Sequence, residues 1–160
     1  MGNSIRPSTS ADVPLIASFI RELAEYEKLS HEVRFDEAAL GEHLFGSRPY
    51  AEAVIGEIDG VPQGFALFFH TFSTFEGKPG IWLEDLYVRP DARGYGLGKA
   101  LLVRVGQIAL ERGCARYEWS VLDWNEPSIR FYRALGAQPM DEWKIMRVAG
   151  ETLSNFADQK

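Results

Sequence analysis

The chain has 160 residues, 46% of them hydrophobic and 25% charged, with 17 Lys and Arg against 23 Asp and Glu for a net charge of −6. A length of this order fits one domain, here residues 1–160, and the balanced composition excludes a disordered chain, a coiled coil and a collagen-like repeat. An acidic chain is a poor polyphosphate binder, which argues against wholesale nucleic-acid binding and suits a small cationic substrate.

In chain order, residues 4–7 read as a short strand. Thr9 and Ser10 offer an N-cap with Asp12 and Pro14 in the first turn; Ile16, Phe19, Ile20 and Leu23 follow at helical spacing, so a helix runs to about residue 29. A shorter helix is expected over 36–45. The period then changes: 51–58 reads as a strand, Asp59-Gly60 as a hairpin turn with Pro62 disturbing the register, and 64–72 as an aromatic strand. A loop over 74–80 leads into a strand over 81–88, stopped by Pro90. Leu97, Leu101, Val105 and Ile108 lie on one face of a helix over 97–112 that Gly113 ends. A strand over 116–122, a helix over 127–135 opened by Pro127, a final strand over 143–148 and a terminal helix over 150–157 complete the chain. The long helix between 81–88 and 116–122 implies a crossover and a parallel pair, whereas the hairpin implies antiparallel neighbours. The fold class is therefore α/β, a mixed sheet with helices on both faces.

The single cysteine, Cys114, forms no intramolecular disulfide and is expected to be a buried small residue; the fold needs no oxidising compartment. The longest apolar runs, such as 64–69, are far short of a membrane span, and the first residues lack an apolar signal core. A cytoplasmic protein without a membrane partner is the expectation. His31, His43 and His70 share no ligand-like spacing, and one cysteine supports no zinc site, so no metal is expected.

The sharpest local feature is the run from Val88 to Lys99, in which a strand ends, a short turn follows, and Gly94, Gly96 and Gly98 open a helix. Glycines let the backbone approach a ligand, and the first turn of a helix offers unpaired N–H groups at the positive end of its dipole. Together they offer a cradle for an anion, above all phosphate; the alternative reading is a flexible turn into a helix. A dinucleotide fingerprint would need glycine where Lys99 stands; a P-loop would need glycine at Arg93 and a hydroxyl residue at Ala100.

Arg93-Gly94-Tyr95-Gly96-Leu97-Gly98 resembles the Gln/Arg-x-x-Gly-x-Gly/Ala signature of the GNAT superfamily of acyl-CoA-dependent N-acyltransferases. Leu83-Glu84-Asp85-Leu86-Tyr87-Val88, the stretch from Asp123 through Asn125-Glu126-Pro127-Ser128 to Tyr132, and Leu23-Ala24-Glu25-Tyr26-Glu27 are similar to its diamine acetyltransferase branch, which includes spermidine/spermine and thialysine enzymes. The resemblance covers about residues 5–156. Between Gly136 and Trp143 this chain is shorter than the polyamine enzymes, in a loop that helps shape their acceptor pocket. The resemblance implies a mixed sheet splayed at a bulge, acetyl-CoA as co-substrate and a homodimer. It implies cofactor contacts at Leu86, Tyr87 and Val88, at the loop residues Arg93, Gly94, Tyr95, Gly96, Leu97, Gly98 and Lys99, and at Asn125, Pro127 and Ser128. A splayed strand edge is a chemically sensible receptor, because the pantetheine arm carries two amides that mimic a strand.

An amine with a pKa of about 10.4 must lose a proton before it attacks a thioester, and the expelled thiolate must gain one. Glu84 and Asp85 are adjacent on a strand and point to opposite faces unless a bulge rotates one. Acidic residues in an otherwise apolar strand are unusual, and the residues alone leave open an ion pair or a reactive site. The resemblance implies that Glu84 binds the amine and helps deprotonate it, with Asp85 as a further acidic contact. Phe131 and Tyr132 read by themselves as packing aromatics; the resemblance implies that Tyr132 is the general acid. The acidic stretch around Glu22, Glu25, Glu27 and Glu32 reads as a solvated face or as a mouth for a cation. The resemblance selects Tyr26 and Glu27 there as acceptor contacts, and Glu118, Trp119, Ser120 and Glu142 elsewhere. The expected activity is acetyl transfer to a primary amine of a small diamine, polyamine or lysine-like molecule. The competing expectations are a protein lysine, a peptide N-terminus or an antibiotic as acceptor, and a CoA-binding regulatory module without turnover.

Overall fold

The computed structural model describes residues 2–160. They fall into two units, one ending at Ser120 and one running from Val121 to Lys160. The first contains β1 (Asn3–Pro7), α1 (Val13–Tyr26), α2 (Glu37–Phe45), β2 (Glu52–Ile58), β3 (Val61–Ser73), β4 (Lys78–Val88), α3 (Leu97–Glu111) and β5 (Arg116–Trp119). The second contains α4 (Glu126–Ala134) and α5 (Gly150–Ala157). The sheet runs β1-β2-β3-β4-β5, with every neighbouring pair antiparallel except β4 and β5, which the α3 crossover makes parallel.

The two faces of the sheet are distinct cores. Phe65 of β3 stacks on Phe19 of α1, ring centroids 5.4 Å apart, and Ile16, Leu44, Ile55, Leu67 and Tyr87 join the same buried cluster. Their neighbours in the strands point the other way, onto α3. Gly56 is one of these: a Cβ there would lie 2.9 Å from Cδ1 of Leu97. So α1 and α2 cover one face and α3 the other, as expected of strands buried on both sides.

Several boundaries differ from the sequence reading. Helix α1 stops at Tyr26 because Lys28 takes a left-handed φ of 61° and the Leu29 N–H reaches back to the Ala24 carbonyl at 2.7 Å, closing the helix as a Schellman motif. Asp36 caps α2 from outside it, its Oδ1 accepting the Ala39 N–H at 2.8 Å. The loop expected over 74–80 is shorter, because the β3–β4 ladder continues through Ser73 and Lys78. The strand expected over 116–122 ends at Trp119, where β4 leaves the parallel ladder. Residues 143–148 form no strand: their apolar alternation marks a segment fit for a ladder, but a ladder also needs a neighbouring backbone. Residues 150–157 are helical as read. Cys114 is half-buried rather than buried, since it follows the end of α3.

At Gly64 of β3, a Cβ would lie 2.5 Å from the Tyr87 carbonyl oxygen of β4. Backbone cannot yield as a leucine methyl can. Gly64→Ala is expected to cost about 2 kcal/mol or more, and Gly56→Ala about 1 kcal/mol, in urea unfolding. Equal costs at the two positions would show that the strands separate freely there.

Candidate functional site

The site begins with a register shift in β4. Leu67 pairs with Asp85 and Phe68 with Leu83, so Glu84 is an extra residue without a cross-strand partner. Leu67 and Phe68 are adjacent and face opposite ways, so Leu83 and Asp85, two residues apart, do too. The bulge turns Asp85 toward the α1 side, the face of Leu67 and Tyr87, while Leu83 stays on the α3 side. The parallel ladder to β5 ends at Leu83 and Trp119, just before the bulge.

Beyond the bulge β4 has an edge that no strand of this sheet pairs. The Tyr87 carbonyl points to β3, and the Arg89 N–H donates to the Gln63 carbonyl at 2.9 Å. Strand alternation therefore directs the N–H and C=O groups of Leu86 and Val88 away from β3. Tyr87 itself pairs with Phe65, and its ring is buried beside Phe19, so it does not share the free edge.

The chain then turns through a short 3-10 segment, Pro90–Ala92, into the glycine loop. Gly94 and Gly96 have φ of 89° and 82°, a left-handed geometry that side chains resist, and a Cβ on Gly94 would meet nothing within 4 Å. Gly96 caps α3 without any side-chain hydrogen bond, and the first intrahelical bond runs from the Ala100 N–H to the Gly96 carbonyl. The N–H groups of Leu97, Gly98 and Lys99 are thus the unpaired donors of a helix start. The Asn3 side-chain amide donates to the Tyr95 carbonyl at 2.7 Å and fixes the loop to β1. Leu97 is buried, so its contribution to a ligand is its amide, not its side chain. A phosphate-bearing group with a strand-like arm fits these donors and this edge.

The carboxylates gather around the bulge. Glu84 is exposed, and its Oε2 accepts the Trp82 indole N–H at 3.0 Å. Burial, and then the Glu84 and Glu27 carboxylates, push Asp85 from its ordinary 3.8 up to about 7. Burial also raises Glu27. The bulge and the end of α1 therefore bring Glu27, Glu84 and Asp85 within electrostatic reach. Trp82 and Glu118 are partners in the parallel ladder, and the Trp119 ring lies 5.0 Å from that of Tyr117. Ser120 follows β5 and is exposed.

In the second unit, Asn125 caps α4, its Oδ1 accepting the Ser128 N–H at 3.3 Å, with Pro127 in the first turn. Tyr132 lies on that helix, its ring 5.6 Å from Phe131. Glu142 is exposed in the turn before residue 143. Among the described residues no group of three or more His, Cys, Asp or Glu side chains could hold a metal ion, and no helix is long and apolar enough to cross a membrane.

Two contacts had no signal in the sequence, because they join residues nearly 70 positions apart. The Arg89 guanidinium grips Glu22 (Nε to Oε2 3.1 Å, Nη2 to Oε1 3.1 Å) and lies 4.8 Å above the Phe19 ring. The Arg93 guanidinium lies 4.8 Å over the Tyr26 ring. By contrast, the pairing of Trp82 with Glu84 follows the two-residue period of a strand and was there to be read.

This architecture, a mixed sheet opened at a bulge with an amide cradle at the following helix start, is the α/β fold of acyl-CoA N-acyltransferases. Residues 17–137 match the Acetyltransferase (GNAT) family. The chain belongs to that family and is an N-acetyltransferase. It is 40% identical to thialysine N-epsilon-acetyltransferase of Bos taurus over 96% of both chains, and 37% identical to that of Mus musculus with the same coverage. It is 30% identical to L-ornithine N5-acetyltransferase of Arabidopsis thaliana, covering 96% of this chain and 87% of the relative. Among solved structures, an integron cassette protein from the mobile metagenome of V. cholerae shares the fold with a TM-score of 0.81 at 24% identity, over 99% of each chain.

The state of Asp85 gives a pH test with a defined sign. A carboxyl whose pKa rises on folding holds its proton more tightly when native, so stability is lost as pH climbs from about 4 to about 7. Asp85→Asn removes that loss. Its unfolding free energy should match the parent at pH 4 and exceed it at pH 8 by up to about 4 kcal/mol. A difference independent of pH would assign the titration to another group.

Proposed function

We propose that the chain transfers the acetyl group of acetyl-CoA to a primary amine of a small diamine, polyamine or lysine-like molecule, by direct attack in a ternary complex, and that residues 1–160 work as one domain. The observation that carries this reading is the β4 bulge, which sets carboxylates beside a free strand edge that leads into an amide cradle. The relatives, named for thialysine and ornithine, support a short amine with a second polar group as acceptor. The family match from 17 to 137 crosses from the first unit into the second, which supports one working domain.

In this reading the amides of Gly94 to Lys99 hold the coenzyme's diphosphate, and the Leu86 backbone groups and the Val88 N–H pair with its arm. The coenzyme supplies an activated acetyl thioester. An alkylammonium with a pKa of about 10.4 is drawn to Glu27, Glu84 and Asp85, and Glu84 takes its proton, directly or through water. Tyr26, Glu118, Trp119, Ser120 and Glu142 complete the acceptor contacts; Asn125, Pro127 and Ser128 complete those to the coenzyme. The Val88 amide region polarises the thioester carbonyl. Tyr132 gives its proton to the departing thiolate. The enzyme is taken as a cytoplasmic homodimer that needs no metal and has neither nucleic-acid nor membrane partners.

Release of free thiol from acetyl-CoA should be measured with putrescine, spermidine, lysine, thialysine and ornithine. Turnover with at least one is expected, and none with any would overturn the acceptor class. With the best amine, Tyr132→Phe should lower kcat at saturation by about 100-fold or more, the usual scale for losing a general acid. An unchanged kcat would remove Tyr132 from that role.

A further inference from the structure

Arg93 opens the family signature, yet its side chain does not turn toward the amide cradle. Its Nε donates to the Val88 carbonyl at 2.9 Å. Its guanidinium lies 4.8 Å from the centroid of the Tyr26 ring and 5.8 Å from that of Tyr87. The Tyr87 ring is buried on the α1 side of the sheet, whereas α3 packs on the other, so the guanidinium lies on the face opposite the helix whose first turn forms the cradle. One side chain thus spans from the free β4 edge to the last residue of α1. Tyr26, a residue 52% exposed, leans on it, and Glu27 follows in the next position.

We propose that Arg93 is a positioning residue for the amine: a bracket that seats Tyr26 and Glu27 against β4 and ties that seat to the coenzyme loop. The identities of the two ligands rest on the function proposed above. The geometry asks for arginine because a guanidinium can donate sideways through Nε while its plane lies against an aromatic ring; a lysine ammonium does one or the other. Gly94 follows Arg93 directly, so a ligand that orders the loop orders the bracket, and the bracket orders the end of α1. Coenzyme and amine therefore each tighten the binding of the other, as linkage requires.

The test is a double-mutant cycle of Arg93→Lys and Tyr26→Leu with three measurements on the whole protein: the Kd of CoA by calorimetry, the KM of the best amine at saturating acetyl-CoA, and amide hydrogen exchange at Glu27, Lys28 and Leu29. Those amides bond to the Leu23, Glu25 and Ala24 carbonyls that close the helix. Each single substitution should raise the amine KM by about tenfold, leave the CoA Kd within about threefold, and speed exchange at the three amides; the double variant should be no worse than either single. A tenfold weaker Kd for CoA with an unchanged KM would make Arg93 a phosphate ligand and overturn the proposal, as would effects that add in the cycle. If the parent protein neither binds CoA nor releases thiol, the acetyl-transfer reading itself fails. Hydrogen exchange in Arg93→Lys then decides the bracket alone, and unchanged exchange overturns it.

Discussion

One extra residue in β4 governs the geometry of the first unit. With a regular register, Leu83 and Asp85 would share a face and the parallel ladder with β5 could continue past Leu83. Glu84 breaks both conditions at once. The parallel ladder stops there, and Leu86 and Val88 are left with backbone groups that no strand of the sheet pairs. Unpaired strand edges are ordinarily a liability that invites aggregation. Here the edge is short, lies inside the fold rather than at the rim of the sheet, and leads directly into the glycine loop. The same inserted residue turns Asp85 into the α1 core, where a carboxylate is expensive to ionise. Freeing a strand edge, the receptor for the coenzyme arm in the proposed function, and perturbing an acid are two results of one local insertion.

The end of α1 must then be held firmly, because Tyr26 and Glu27 stand across from that bulge. Three devices hold it. At its start, Asp12 accepts from Arg6 at 2.8 and 2.9 Å and from the Thr9 N–H at 2.7 Å, which keeps its carboxyl below the usual range. In its last two turns, Glu22 is gripped by Arg89 of the segment after β4. At its end, the Lys28 turn closes the backbone. Individually such partly exposed ion pairs contribute little, but each joins α1 to a different strand. Together with the Phe19–Phe65 stack they restrict how the helix can slide or rotate over the sheet.

Much of this was legible from local chemistry. The hairpin at Asp59-Gly60 and the glycines that open α3 are decisions made within a few residues, and they were read correctly for that reason. The bulge that the resemblance implied lies at Glu84, beside the one place where the strand alternation of Glu84 and Asp85 left a rotation open. What escaped depends on partners distant in sequence. Helix α1 ends early because Lys28 adopts a left-handed conformation that propensity disfavours. The strand expected over 143–148 has an apolar pattern but no ladder. Tyr87 looked like one more residue of a cofactor strand, and only the register shows its ring buried and its carbonyl facing β3. The stacking of Arg93 on Tyr26 depends on the whole crossover geometry and leaves no trace in spacing.

The charges of the first unit divide between the glycine loop and the carboxylates around the bulge. A protein of net charge −6 should repel a polyanionic coenzyme. In the proposed function the glycine loop offsets this chiefly with amides, since the dipole of a 15-residue helix and its unpaired N–H groups attract phosphate at close range, with Lys99 in the same turn. That economy matters beside Glu27, Glu84 and Asp85. A free lysine or arginine among them would pair with the carboxylates, lower their basicity and compete with an ammonium for the same oxygens. Arg93, whose guanidinium lies over Tyr26, is committed to a backbone carbonyl and two tyrosine rings. In the proposed function fixed dipoles hold the anionic coenzyme while carboxylates hold the cationic amine, and neither site neutralises the other.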